Sequence, residues 1–484
     1  MILRGGVAFG IVLAFGIPAA SAQPVTLDQA LVAAYQTNPQ LQAERANLNS
    51  VAENVPKALS GWRPVVVLNG SVGYTEGTQR TFTPGTLFSA GGPVFTNLDR
   101  DTATGQATVT QPIFEGGKTR ASYNQAQNLL RAERAQLIAT EESVFGNVVG
   151  AYVGVIENRA LVAVNQSNVT VLQEQLQSSE DRFRVGELTQ TDVAQAQAAL
   201  ALGQSQLETA KGNLETALAT YLQVVGETAA DNLANPQPLA LPVNSAEAAD
   251  AAAAANNPTV INALFNVAAA KNGVDLAFSA LMPTVNVQGT AFQETNPTLP
   301  DSRLGGWAAT VNLTVPLYQG GGEYATVRQA KQNQDRAVQT LDNARRSAVQ
   351  QASQAWQTLI AAQAAIVSAR AAVAANRIAL EGTEREAIVG TATTLDVLTV
   401  QQNLLNSATT LVQNLASLIT ASYDVASAIG RLTARDLRLP VPYYDENAYY
   451  RSVRDAWIGV GGPAVTNDTT PEGLPLPPMP ASGK

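Results

Sequence analysis

Gln111-Pro112-Ile113-Phe114-Glu115-Gly116-Gly117 recurs as Val315-Pro316-Leu317-Tyr318-Gln319-Gly320-Gly321, 204 positions later. In each copy a proline, two large apolar residues and paired glycines close an alternating segment and open a long segment without proline. Proline lacks the N–H a sheet ladder needs, and glycine accepts the positive φ of an abrupt change of direction. The motif reads as a step from strand to helix, made twice in one chain, and not as a phosphate-binding loop.

Other repeats extend outward from it. Asn38-Pro39 recurs as Asn257-Pro258, and Trp62-Arg63-Pro64-Val65 has a weaker counterpart in Leu281-Met282-Pro283-Thr284, both shifted by 219. Val185-Gly186 and Thr191-Asp192-Val193 recur as Val389-Gly390 and Leu395-Asp396-Val397, shifted by 204. The offset changes once, so the first half carries about 15 extra residues between Pro64 and Pro112. Loops tolerate such insertions more readily than packed helices do. The expected organisation is a signal peptide (1–22), a first repeat (23–245), a second repeat (246–455) and a Pro-rich disordered tail (456–484). The signal reading rests on Arg4, the apolar run Val7 to Ile17, and the A-x-A cleavage site Ala20-Ser21-Ala22.

Each repeat holds two segments of period 2, expected as strands at about 64–75, 101–112, 283–293 and 306–316. Val66, Leu68, Gly70, Val72 and Tyr74 share one face of the first, and Trp307, Ala309, Val311, Leu313 and Val315 one face of the last. The opposite faces carry neutral Thr, Asn, Ser and Gln. Each run has about the 9–11 residues of a tilted membrane strand, and a neutral polar face suits a watery lumen. A soluble β-sandwich shows the same alternation. The signal peptide and the long helices separating the strands favour the membrane reading. Four strands are too few to close a barrel, since the smallest outer-membrane barrels use about 8. The chain is therefore expected to oligomerise, as a dimer, trimer or tetramer.

From Gly117 to Arg184 there is no proline, and a single helix of that length spans roughly 100 Å. Gly321 to Ile388 matches it. Each meets a short glycine turn and a returning helix with apolar residues seven apart: Val193, Leu200, Leu207, Leu214 and Tyr221, then Val397, Leu404, Leu411, Leu418 and Val425. Sustained period 3.5 means coiled-coil packing. Two further helices are expected near Thr26 to Leu59 and Ala246 to Leu281. Beyond the signal no apolar run is expected to cross a bilayer as a helix, which leaves a barrel as the spanning structure.

Composition agrees. The 484 residues include no His and no Cys, which excludes imidazole or thiol catalysis, zinc ribbons and disulfides. No cofactor and no metal are expected. A net charge of −9 leaves no excess of Lys or Arg to replace counterions on phosphates, which argues against a nucleic-acid partner. An enzyme working on carboxylates is disfavoured, because no acidic pair sits in a recognisable pocket motif. The repeated carboxylates Asp192 and Asp396 begin helices, where each can satisfy orphan N–H groups and the positive dipole end, a role compatible with gating.

In the duplicated strand pairs, the P-[IL]-[FY]-x-G-G step and the V-G-x5-D-V turns, the chain resembles the TolC family of outer-membrane efflux and secretion channels, over about residues 24–455. The resemblance implies a membrane β-barrel joined to a long α-helical coiled-coil barrel. It also implies four strands per chain and 12 in a homotrimer, with the helical part in the periplasm. It implies an exit duct of a tripartite efflux or type I secretion system, passively conducting drugs or secreted protein. The implied partners are a periplasmic adaptor (membrane-fusion) protein, an inner-membrane pump of RND or ABC type, and outer-membrane lipid. The other reading is a non-conducting coiled-coil scaffold or adhesin of the envelope.

By the same resemblance Asp192 and Asp396 line the tunnel entrance, with Thr399 where the family has a second aspartate and Ala392 where it has an arginine. Arg182, Val185, Gly186, Glu187, Leu188, Val389, Gly390 and Thr391 are the implied adaptor contacts. The glycines also suit the turn geometry by themselves. Trp62, Tyr74, Phe114, Trp307 and Tyr318, near strand ends, are candidates for interfacial aromatic belts.

Overall fold

The computed structural model describes residues 24–298 and 301–460. The expected signal segment and residues 461–484 of the expected tail lie outside the described residues. In chain order the elements are α1 (Leu27–Thr37), α2 (Pro39–Ala52), α3 (Asn54–Leu59), β1 (Val65–Thr75), β2 (Thr78–Thr83), β3 (Gly92–Asn97), β4 (Arg100–Glu115) and α4 (Lys118–Arg184). There follow α5 (Gln190–Val225), α6 (Ala246–Asn256), α7 (Pro258–Ser279), β5 (Thr284–Thr295), β6 (Arg303–Thr314), α8 (Gly322–Ile388), α9 (Thr394–Ala428) and α10 (Ala448–Val453).

The two long helices are each 67 residues, as the matched spacing of the motifs requires. One expectation is corrected: α4 and α8 each contain an 18-residue window apolar enough for a membrane span, with mean hydropathy 1.2 and 1.6. Alanine, abundant in both helices, raises hydropathy without adding bulk. A second correction concerns the shorter helices, each expected in one piece. The first span divides into α1, α2 and α3, broken at Asn38-Pro39 and at Glu53, and the second into α6 and α7, broken at Asn257-Pro258. A residue before proline is pushed out of the helical region. Asn38 takes ψ 121 and Asn257 ψ 127, and each then caps the next helix through its side chain.

Four strands form one antiparallel sheet in the order β1-β4-β5-β6. Its register aligns the faces read from the sequence. Leu68 pairs with Ala107, Ala107 with Ala291 and Ala291 with Trp307, an unbroken apolar row. Leu68 is 81 % and Trp307 80 % exposed. The opposite face is tied by polar side chains: Ser71 and Thr104 hydroxyls lie 2.7 Å apart, and Asn312 Nδ2 donates to Asn286 Oδ1 at 3.1 Å. The chain has six described strands, not four. The extra residues of the first half form the β2–β3 hairpin, which pairs only with itself.

The strand-to-helix steps differ in detail. β4 runs on through Pro112 with a bulge at Ile113, whereas β6 ends at Thr314, before Pro316. Gly116 takes φ +63, and a Cβ there would lie 2.3 Å from Met282 Cβ. Both conformation and space demand glycine at that point.

The chain divides into two compact units, each drawing on both repeats: 24–36, 147–238 and 365–420 in one, and 37–146, 239–364 and 421–460 in the other. In the first, buried Tyr152 reaches the carbonyl oxygens of Val25 and Ala234, each 2.7 Å away, and Arg159 donates to those of Ala230 and Asp231. The second contains the sheet and a core of mostly small residues, Ala253, Val260, Ala263, Leu341, Ala348, Ala352 and Ala428. There two adjacent carboxylates of α4 hold the segment after α9. Glu142 Oε1 accepts the Leu432 N–H at 3.2 Å, and Glu141 Oε1 accepts that of Ala434 at 2.6 Å.

Glu142 is 4 % exposed, and burial pushes its carboxyl up to about 8 even though it accepts a backbone hydrogen bond. Because the folded-state value lies above the unfolded one, the folded protein holds this proton more tightly. The group's contribution to stability is greatest at acid pH and is lost as pH rises through about 8. Glu142→Gln keeps the acceptor for Leu432 without the titration. Melting curves from pH 5 to 9 should show the parent losing several degrees that the variant retains; parallel curves would refute the assignment.

Candidate functional site

The two helical turns, both in the first unit, are built alike. At the end of α4, Glu187 N–H donates to Arg182 O and Gly186 N–H to Phe183 O, each at 2.9 Å, with Gly186 at φ +85. At the end of α8, Thr391 N–H donates to Glu386 O at 2.9 Å and Gly390 N–H to Ala387 O at 3.4 Å, with Gly390 at φ +82. This is the left-handed helix stop that satisfies the last carbonyls of a helix. A Cβ on either glycine would meet nothing within 4 Å, so φ alone requires glycine there.

The returning helices start with reciprocal caps. Asp192 Oδ2 accepts from Thr189 N at 2.9 Å and Thr189 Oγ1 at 2.7 Å, while Thr189 Oγ1 accepts from Asp192 N at 3.3 Å. Thr393 and Asp396 repeat it at 2.9, 2.7 and 3.2 Å. The cap residue is thus the threonine, with the aspartate three positions on reaching back. The T-x-x-D spacing was a sequence signal for this arrangement. Hydrogen bonds from Thr189 and Thr393, hydroxyl first and N–H second, hold both carboxyls below the usual aspartate value.

The remaining turn residues are less symmetric. Arg182 Nε lies 3.1 Å from Glu187 Oε2. Glu386 and Thr391 hold the matching positions in the second turn and offer no such pair. Thr399 donates its hydroxyl to Leu395 O at 2.7 Å, so its polar group is turned onto its own helix. Val185 and Val389 are exposed beside their glycines, and Leu188 is half-buried. Among the described residues no hydrogen bond or ion pair joins one turn to the other.

Sequence reasoning missed two features of the helical packing. The heptad residues of α5 are buried or half-buried, but a second seam three residues on consists of buried Ala196, Gly203 and Ala210. A Cβ on Gly203 would come within 2.8 Å of Leu172 Cδ1, so small residues here let helices approach. The other is a buried polar pair, in which Gln401 Nε2 donates to Asn168 Oδ1 at 2.9 Å. Nothing local distinguishes Gln401 from half-buried Gln402 or exposed Gln413 of α9.

Gly117-Lys118-Thr119 ends like a P-loop, but Pro112 stands where that motif begins with glycine, and the second copy continues Gly321-Gly322-Glu323. Thr119 is buried and donates its hydroxyl to Glu115 at 2.5 Å. Its role is local packing.

If the threonine caps hold the turns, Thr393→Ala should accelerate amide hydrogen exchange at the start of α9 several-fold, leaving the start of α5 unchanged. Equal exchange in parent and variant would remove the cap from the account.

Comparison with known proteins agrees with this architecture. The outer membrane efflux protein family matches residues 30–227 and 251–431, one segment in each repeat. The chain is 34% identical over 439 residues to outer membrane efflux protein BepC of Brucella suis, covering 90% of this chain and 92% of that one. It is 25% identical over 436 residues to outer membrane protein TolC of Escherichia coli, covering 86% and 84%. The solved outer membrane protein VceC of Vibrio cholerae superposes with a TM-score of 0.71 at 20% identity, covering 84% of this chain and 96% of that one. The Campylobacter jejuni CmeC outer membrane channel gives 0.70 at 20% identity, covering 84% and 85%. The chain belongs to the outer membrane efflux protein family, whose members are channels of the outer membrane with a periplasmic helical part.

Proposed function

We propose that three copies of this chain close a 12-stranded barrel in the outer membrane and continue into a periplasmic helical tunnel. The duct passively conducts drugs or secreted protein delivered by an inner-membrane pump, of RND or ABC type, through a periplasmic adaptor. The observation that carries this reading is the four-stranded sheet. It has an apolar row across all four strands, and in the described structure β1 pairs only with β4 and β6 only with β5. Hydrocarbon offers no water to unpaired N–H and C=O groups, so both edges require further strands. Relatives include the alkaline protease secretion protein AprF of Pseudomonas aeruginosa and the fusaric acid resistance protein FusA of Burkholderia cepacia, so both classes of cargo stay within the proposal.

Asp192 and Asp396 form the entrance in this reading, each repeated around the trimer axis. Their caps keep them ionised, and a ring of carboxylates attracts cations. In planar bilayers the purified protein should conduct, with block by divalent cations from the helical side. Because the carboxyl values are depressed, block should persist at neutral pH and fade only below the ordinary aspartate range. Asp396→Ala should weaken the block substantially, and unchanged block would remove Asp396 from the entrance. No conductance from folded trimers would favour the envelope scaffold instead.

The turns at Gly186 and Gly390, with Arg182, Val185, Glu187, Leu188, Val389 and Thr391, are the proposed adaptor contacts. Asn tolerates positive φ, so Gly186→Asn keeps the turn while placing a side chain on its surface. Loss of pump-dependent export with intact trimers is expected; normal export would exclude contact at that glycine.

A further inference from the structure

The segment following α10 carries apolar side chains for which the rest of the fold has no use. Trp457 is 66 % and Ile458 97 % exposed, and Val460 is fully exposed. The backbone of this segment is nevertheless tied down. Arg63 Nη1 donates to Ala456 O at 2.6 Å, and the Arg63 guanidinium lies 4.8 Å from the centre of the Trp457 ring. Ala456 N–H also donates to Val453 O at 3.0 Å, which continues α10 into the tether.

Arg63 stands two residues before β1, and a strand rises about 3.4 Å per residue. Trp457 is therefore held against the residue that leads into β1. That is the end of the sheet from which α4 and α8 depart, because β4 and β6 finish there. Exposed Trp62, Phe114, Leu317 and Tyr318 lie at the same end. Tryptophan favours the boundary where one side of the ring meets hydrocarbon and the other meets water, and an arginine beside it can keep its charge among headgroups.

We propose that residues 456–460 are an interfacial anchor. Trp457 and Ile458 bed in the phospholipid headgroup region of the periplasmic leaflet, held at that height by Arg63. The inference rests on the barrel orientation given under the proposed function. It assigns the start of the expected disordered tail to the membrane surface, and it places the lipid contact on a segment outside the strands.

The absence of cysteine makes the test direct, since each engineered thiol is the sole label site. Full-length protein with Ile458→Cys, Leu68→Cys or Thr391→Cys is spin-labelled and reconstituted in phosphatidylethanolamine–phosphatidylglycerol vesicles. Accessibility to oxygen is then compared with accessibility to a water-soluble nickel chelate. The label at 458 should show an oxygen-to-nickel ratio several-fold above that at 391, in the helical turn, and below that at 68, in the apolar row. Arg63→Ala should move the 458 label toward the value at 391. A 458 label as nickel-accessible as 391, with 68 still protected, would overturn the anchor and leave the barrel standing; this is also the result if a periplasmic protein or the lumen faces the segment. Nickel access at 68 as well would overturn both.

Discussion

The edges of the sheet govern the rest of the molecule. Among the described residues β1 and β6 each make one ladder, and a membrane provides no solvent for the backbone groups on their other sides. A chain with this sheet is therefore incomplete by itself in lipid, however well its helices pack. The first glycine step joins β4 to α4 through two residues, whereas the second joins β6 to α8 through an exposed stretch that includes Leu317 and Tyr318. Gly116 is required twice over, by its positive φ and by Met282 and Ser279 crowding the position of its missing Cβ.

Away from the sheet the protein relies on closeness more than bulk. Ala196, Gly203 and Ala210 form one seam of α5, and alanines dominate the core cluster of the sheet-containing unit. Small side chains allow helix axes to approach and let many shallow contacts replace a few large ones. Polar atoms are admitted where they have a defined partner: Asn168 with Gln401, Tyr152 with two carbonyls, Glu141 and Glu142 with two backbone N–H groups. At the turns, threonine and aspartate satisfy one another, so one carboxylate caps a helix and still carries charge at the surface.

Much of this was legible because it is periodic or repeated. The period-2 segments located the four strands of the sheet, and the constant offset of 204 required α4 and α8 to match in length. The helix breaks at Asn38-Pro39 and Asn257-Pro258 were also visible in principle, since proline acts on its immediate neighbour. The β2–β3 hairpin was legible only as an insertion. Its strands lack a counterpart in the second half, and their pairing is confined to one another. The threonine caps are legible in the same way as the helix breaks, since T-x-x-D stands in both turns.

Local sequence, then, determined the duplication, the strand faces, the long helices and the left-handed turns, since each depends on residues within a few positions or on a pattern repeated along the chain. Tertiary structure alone decided which distant groups meet. Glu142 and Leu432 are 290 residues apart, Gln401 and Asn168 233, and Arg63 and Ala456 393. Such pairs have no period and no shared motif. They come into being only when the folded backbone brings a donor within hydrogen-bond reach of an acceptor that burial has cut off from water.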